Sequence, residues 1–241
     1  APPPDTEHAS STVLQMSSFH PDHRTGRAFR MRIASRIGIL EDARALLNWR
    51  YRRKGYGSQT LTLADHQLTI VAYDGTETAG TLTVRVDGAE GLLSEESFPE
   101  EIGRLRAGGL RLCEFGKLAT DSGPSSMVTL VRMFHVGLLY GGDLHGLTHV
   151  IVEVNPRHAG FYAKVLGFDE LARTRESRRV RAPGVLMLGE LARIDEEIRR
   201  HRGAPAAADQ RAAFYSFALS ERDADDVRRR LGRALRGRAR P

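Results

Sequence analysis

Two segments of the chain carry side chains suited to acid–base chemistry. In the first, LRLCEFGKLATD (residues 110–121), Glu114 stands in an otherwise apolar run. A carboxyl group desolvated on such a strand holds its proton more tightly than in water and can serve as base toward an ammonium nucleophile. Alternation by itself favours a plainer reading, a carboxylate that either faces solvent or forms a salt bridge, with Lys117 as a candidate partner. In the second, VIVEVNPRHAGFYAKVLGF (150–168), Tyr162 lies in a short helical stretch. Its hydroxyl can donate a proton to a leaving group, although Phe161, Val165 and Leu166 share its spacing and suit a packed aromatic residue equally well. Between the two segments, DSGPSS opens an apolar helix. Ser125 and Ser126 there either cap the helix or leave backbone N–H groups free for a phosphate.

Other chemistries find no support in the sequence. His20, His23, His145, His149 and His158 do not fall at metal-ligand spacing, and H-E-x-x-H is absent, so no metal is expected. Cys113 has no base beside it and there is no G-x-S-x-G, which disfavours a covalent nucleophile. With a single cysteine, no intrachain disulfide framework exists and a reducing compartment is expected. The first residues, APPPDTEHASS, lack a basic stretch followed by an apolar one, and no apolar run approaches the ~20 residues of a membrane span. A cytoplasmic protein is therefore expected. Net charge is +6, with much of the excess between Arg222 and Arg240. No zinc-finger, recognition-helix or RNP pattern accompanies it, so nucleic acid is not the expected partner; an acidic protein suits the charge.

The elements that must position these groups are legible from periodicity. Residues 29–37 alternate as a half-buried strand, and 41–53 carry apolar residues at helical spacing before Lys54-Gly55. Strands at 68–72 and 78–86 flank the Asp74-Gly75 turn as a hairpin. A helix at 99–107 ends at Gly108-Gly109, and a strand follows at 110–118. Then come a helix at 125–140, a strand at 150–154, a short helix at 160–166 closed by Gly167, and a strand at 185–191. A charged helix at 194–202, an Ala/Pro linker at 203–208 and an amphipathic helix at 220–235, begun by Ser220 and Asp223, complete the chain. The order predicts an α/β fold on a mixed sheet. Three parts are expected: a polar arm (1–26), an α/β domain (27–193) and a basic helical extension (194–241).

The strand, turn and aromatic helix with Asn155, Ala159, Tyr162, Gly167 and Phe168 resemble the GNAT acyltransferases. That resemblance implies the GNAT fold: a central mixed twisted sheet flanked by helices, here with extra C-terminal helices. It also implies that the strands at 110–118 and 150–154 splay to admit a pantetheine arm, and that Tyr162 protonates the departing thiolate. The superfamily's R/Q-x-x-G-x-G/A phosphate cradle is absent, which favours a carrier-bound phosphopantetheine over free CoA. YRRKGYG (51–57), AGTLTVRVDGAEGLLSEESFPEEIGRLRAGG (79–109), LCEFGKLATD and VRAPGVLML (180–188), taken with the Val150–Phe168 segment, resemble a narrower group. This is the long-chain N-acyl amino acid synthases of the N-acyl tyrosine type, relatives of the acyl-homoserine lactone synthases.

The narrower resemblance implies an N-acyltransferase that uses acyl–acyl carrier protein as donor and a free amino acid as acceptor. Acyl-phosphopantetheine, on the carrier or as CoA, would be a co-substrate, with no bound cofactor. Glu114 would be the base, and backbone donors at Lys117, Leu118 and Ala119 would hold the thioester oxygen. Ser125, Ser126, Asn155 and His158 would line the phosphopantetheine path, and Tyr56, Phe98 and Arg85 the substrate pocket. Lys117 stands where relatives carry arginine and lacks the bidentate fork for a carboxylate. The alternatives are a lactone synthase, an acyl-CoA N-acetyltransferase and a non-catalytic carrier- or nucleic-acid-binding module.

Overall fold

The structure is a computed structural model that describes residues 12–16, 29–122, 126–172, 174–177, 179–204 and 209–238. The strands are β1 (Thr12–Met16), β2 (Phe29–Ile33), β3 (Gln67–Asp74), β4 (Glu77–Val86), β5 (Leu112–Thr120), β6 (His149–Val154), β7 (Asp169–Glu170), β8 (Arg175–Ser177) and β9 (Ala182–Glu190). Their order is β1-β2-β3-β4-β5-β6-β9-β7, with β8 also paired to β9. All pairs are antiparallel except β5–β6, which is parallel. The helices are α1 (Ile37–Arg52), α2 (Pro99–Ala107), α3 (Ser126–Leu138), α4 (Pro156–Phe161), α5 (Leu191–His201), α6 (Gln210–Tyr215) and α7 (Glu221–Arg238). The expected mixed α/β sheet is present.

Alternation along β4, β5, β6 and β9 sends successive side chains to opposite faces. One face carries Leu82, Val84, Cys113, Phe115, Val150, Val152, Val185 and Met187 into a large apolar core under α3. Phe214, Tyr215, Ala224, Val227 and Leu231 of α6 and α7 join that same core. The opposite face carries two smaller apolar clusters. Ile39, Ala43 and Leu47 of α1 cover Val71 and Tyr73. Phe98 and Ile102 cover Leu112, Ile151 and Leu186. Between those clusters the sheet presents polar side chains, among them Thr81, Thr83 and Glu114, all buried.

Several boundaries differ from expectation. Thr12–Met16 falls inside the stretch expected to be an arm, yet it pairs antiparallel with β2. Its short β-prone TVLQM run was masked by Pro/Ser/His-rich flanks; the rest of the arm lies outside the described residues. The helix expected at 160–166 starts earlier, at Pro156, because Asn155 accepts a hydrogen bond from the Arg157 N–H and Pro156 takes the first helical position. It continues as a π-turn over Tyr162–Leu166 and stops at Gly167, whose φ of 74° is left-handed. Sequence periodicity gave no sign of α6, which Asp209 caps by accepting from Ala212 N–H at 3.0 Å. Ser220 caps α7, accepting from the Asp223 N–H at 3.2 Å while its hydroxyl donates to the Asp223 carboxylate. Part of the arginine charge of this helix is used locally: Arg228 pairs with Asp143 and Asp225, and Arg229 with Asp226.

One buried titratable group ties the C-terminal segment to the core. His135 of α3 accepts a hydrogen bond at Nδ1 from the Leu219 N–H at 3.1 Å. Burial, with Arg202 and Arg228 nearby, pushes its pKa down to about 3. Below about pH 6.5 the unfolded chain therefore binds a proton that the folded chain refuses, and stability falls as pH falls. The expected loss from this residue is about 1.4 kcal/mol per pH unit below that point. Urea unfolding at pH 7 and pH 4 should show a smaller pH dependence for His135→Asn than for the parent. An unchanged pH dependence would mean that the imidazole charges without cost.

Candidate active site

The parallel pair β5–β6 is short. Its register runs Leu112–His149, Cys113–Val150 and Glu114–Ile151, and pairing stops there. Beyond that point β5 continues to Thr120 against β4, and β6 continues to Val154 against β9. The two central strands thus diverge while each stays held by its outer neighbour. On the β4 side the register slips by one residue between Thr83–Gly116 and Thr81–Ala119, a β-bulge at Lys117 and Leu118. Lys117 takes φ of 50°, a left-handed conformation costly for a side-chain-bearing residue.

A cavity of about 290 Å³ fills the gap. The alternation of β5 and β6 gives it two kinds of wall. Phe115, Val152, Leu130, Phe161 and Tyr162 line it from the large-core side, and Glu114, Glu153, Arg179 and Tyr51 from the other. Lys117, Leu118 and Ala119 form its β5 edge, and Asn155 and His158 stand at the β6 end.

Glu114 is 1% exposed. Its Oε2 accepts from the N–H groups of Leu93 (2.5 Å) and Ser94 (3.2 Å), in a 3₁₀ turn over Leu93–Glu96. Its Oε1 lies 3.6 Å from Arg179 Nη2 and has no hydrogen bond among the described residues. Burial raises the Glu114 pKa above the ordinary carboxylate range, against the opposing pull of Arg179 and the two backbone donors. The solvent-facing reading of this residue is thereby excluded. Arg179 also pairs directly with Glu153. Neither Arg179 nor Glu153 was singled out in the sequence. The nearest signal was Glu153 itself, an acid in a β-branched run like that around Glu114. Arg179 sits in the turn before β9, where nothing local marks it. That turn is braced by Arg175, which forms a two-point pair with Glu101 and stacks 5.3 Å from the Phe98 ring.

Tyr162 is buried, with ring contacts to Phe134, Phe161 and Phe168. Its hydroxyl has no hydrogen bond among the described residues, and burial raises its pKa, so the phenol stays protonated. Tyr51, from α1, is close enough to influence Tyr162 electrostatically, and burial pushes its own pKa up to about 12. Lys117 lines the cavity but its Nζ donates to the Thr60 carbonyl at 2.8 Å; burial, with Arg179 and Arg85 nearby, lowers its pKa. Tyr56 lines the cavity edge-to-face with Tyr51. At the opening, Arg50, Lys54 and His158 gather with Arg157, and Lys54 and His158 both have lowered pKa values, through burial first and then through their cationic neighbours.

Other expected residues lie elsewhere. Phe98 is completely buried among Leu92, Ile102, Leu112 and Ile151, because α2 needs an apolar anchor on the sheet; it supports Arg175 and does not line this cavity. Arg85 stands opposite Glu114 across the β4–β5 pair, but its guanidinium donates to the carbonyls of Glu90 and Gly91 and holds that loop outside the cavity. Ser125 lies outside the described residues. Ser126 begins α3 one turn ahead of Leu130 and is not part of the cavity wall. No described residue of α7 lines the cavity.

A mixed sheet whose central parallel pair opens beside a short aromatic helix is of the GNAT fold. The chain belongs to the N-acyl amino acid synthase FeeM family, whose model matches residues 42–190. The solved structure of FeeM, an N-acyl amino acid synthase from uncultured soil microbes, superposes with a TM-score of 0.64 at 22% identity, over 70% of this chain and 95% of that one. The acyl-homoserine lactone (AHL) synthase LasI superposes with a TM-score of 0.51 at 13% identity, over 81% of this chain and 98% of that one. These two likenesses show the fold. Among curated proteins none matches the chain significantly by sequence. No helix among the described residues is long and apolar enough to cross a membrane.

The packing of Glu153 can be tested directly. Gly184 of β9 faces it so closely that an added Cβ would lie 2.7 Å from Glu153 Oε1 and 3.2 Å from its Cγ. Gly184→Ala must therefore push a buried, ion-paired carboxylate aside, at an expected cost of about 1–3 kcal/mol. Thermal unfolding should show the midpoint falling by about 2–4 °C per kcal/mol for a chain of this size. An unchanged midpoint would mean that Glu153 swings away freely.

Proposed function

We propose that the chain transfers a long-chain acyl group from acyl–acyl carrier protein to the amino group of a free amino acid. The observation that carries this reading is Glu114, a carboxyl buried in the cavity wall at the point where β5 and β6 part, with one oxygen fixed by backbone donors and the other without a hydrogen bond among the described residues. Such a group suits an ammonium nucleophile, whose proton must be removed before nitrogen can attack.

In the proposed reaction the ammonium gives a proton to Glu114 and the freed amine attacks the thioester carbonyl carbon. A C–N bond forms, and backbone N–H groups about the Lys117–Ala119 bulge stabilise the oxygen as it becomes negative. The C–S bond then breaks. Tyr162 delivers a proton to the departing thiolate and recovers one, directly or through water, from the nitrogen as the amide forms. The products are an N-acyl amino acid and phosphopantetheine thiol, with one proton released from Glu114 to solvent. The apolar wall of Phe115, Leu130, Val152 and Phe161 suits a fatty chain. The basic opening suits a phosphopantetheine phosphate and an acidic carrier, with Asn155 and His158 along the arm.

Mass spectrometry of lipid extracts from cells expressing the chain should reveal a long-chain N-acyl amino acid absent from control cells; a lactone product or no acylated product would contradict the proposal. In purified enzyme, Glu114→Gln is expected to lower kcat/KM about 10²–10⁴-fold. The base works deprotonated and its pKa is raised, so the parent rate should climb with pH through a point above the usual carboxylate range. That limb should vanish in the variant. A folded Glu114→Gln enzyme with the parent pH profile would remove Glu114 from the mechanism. Tyr162→Phe leaves no broken hydrogen bond behind, so its stability should stay within about 0.5 kcal/mol of the parent, with the rate effect confined to transfer.

A further inference from the structure

The buried charges opposite the aromatic wall are out of balance. Arg179 faces two carboxylates, Glu114 and Glu153, both nearly inaccessible, while its own side chain is 20% exposed and lines the cavity. Three polar atoms of this trio, Arg179 Nε, Glu114 Oε1 and Glu153 Oε1, are buried without a hydrogen bond among the described residues. Buried polar atoms are normally satisfied, and three unsatisfied ones on residues that line the same cavity mark that wall as shaped for a polar ligand. The unmet atoms are one cationic donor and two anionic acceptors. A ligand that meets them carries a carboxylate and an ammonium close together. In an α-amino acid those two groups are separated by a single carbon, matching the close approach of Arg179 to Glu114.

We infer that Arg179 grips the carboxylate of an α-amino acid acceptor while the acceptor's ammonium, lying alongside the guanidinium, pairs with Glu114. This deepens the reading above and rests on it. The exchange conserves charge: the Arg179–Glu114 pair of the free site becomes Arg179–carboxylate and ammonium–Glu114. Glu153 keeps the guanidinium in position throughout. Arg179 also supplies the planar two-point donor that Lys117 lacks, and Lys117 is already committed to the Thr60 carbonyl. An amine without a carboxylate would bring a second cation beside Arg179 with no anion of its own to offset it.

The test compares acceptors that differ only at the carboxyl group. With myristoyl–acyl carrier protein as donor, tyrosine, tyrosinamide and tyramine are assayed beside leucine, leucinamide and isoamylamine. The parent should favour at least one acid over its amide and its amine by about 30-fold or more in kcat/KM. Arg179→Gln should reduce that preference to about threefold or less, chiefly through a higher KM for the acid. Arg179→Lys should keep an intermediate preference. Because Arg179→Gln leaves two buried carboxylates without a counter-ion, the double variant Arg179→Gln/Glu153→Gln provides the same readout with the charge restored toward balance. A folded variant that keeps the parent preference, or a parent that acylates amines as well as acids, would overturn the role of Arg179 and leave N-acyl transfer standing. Failure of the parent to acylate any acceptor would remove the proposed function, and this inference with it.

Discussion

The site depends on an interruption in the middle of the sheet. A central parallel pair normally continues until both strands end, because unpaired backbone groups inside a protein are costly. Here β5 and β6 stop pairing after Glu114 and Ile151, although both strands go on for several residues. The opening is sustained from outside. β4 holds β5 as far as Thr120, and β9 holds β6 along its whole length. The bulge at Lys117 turns the β5 backbone within that opening and keeps it from closing onto β6. Backbone groups lost to the sheet become available to a ligand at the same place.

The opening joins two environments that the sheet otherwise separates. On one face lies the large apolar core, from which Phe115, Leu130, Val152 and Tyr162 reach the cavity. On the other lies a polar stripe between two smaller apolar clusters, with Glu114, Glu153 and Arg179. A reaction between a fatty thioester and a charged amine needs both surroundings within bonding distance, one dry and one ionic. Strand alternation at a gap supplies this juxtaposition without any long loop. The low-dielectric surroundings also explain two shifted groups: burial favours the neutral forms of both the Glu114 carboxyl and the Tyr162 phenol.

Much of this was legible from the residues. Apolar alternation identified β2 to β6 and β9, turn chemistry identified the β3–β4 hairpin, and an acid in an apolar strand marked Glu114. The resemblance carried by the 150–168 segment led to the GNAT fold and to the gap. What escaped was set by tertiary context. Phe98 looked like a pocket wall because it lies in a stretch that carries the family resemblance, but an aromatic residue at a helix start serves equally to anchor that helix, and here it does. Arg85 faces the same side of the sheet as Glu114, yet two loop carbonyls claim its guanidinium first. Arg179 lies in a turn, where no periodicity points inward, and only the fold brings it back across the sheet to Glu114. The strand at Thr12–Met16 was too short to stand out from its polar flanks.

The account turns on the gap between β5 and β6 being the place where the acyl donor reacts. The most direct measurement is a crystal structure of the protein with a non-hydrolysable acyl-pantetheine analogue, a ketone in place of the thioester. The account predicts the pantetheine arm lying between the two strands, its ketone oxygen hydrogen-bonded to backbone N–H groups in the Lys117–Ala119 stretch and its carbonyl carbon facing Glu114 across room for an amine. An analogue bound outside the gap, or a gap closed by continued β5–β6 pairing, would contradict it.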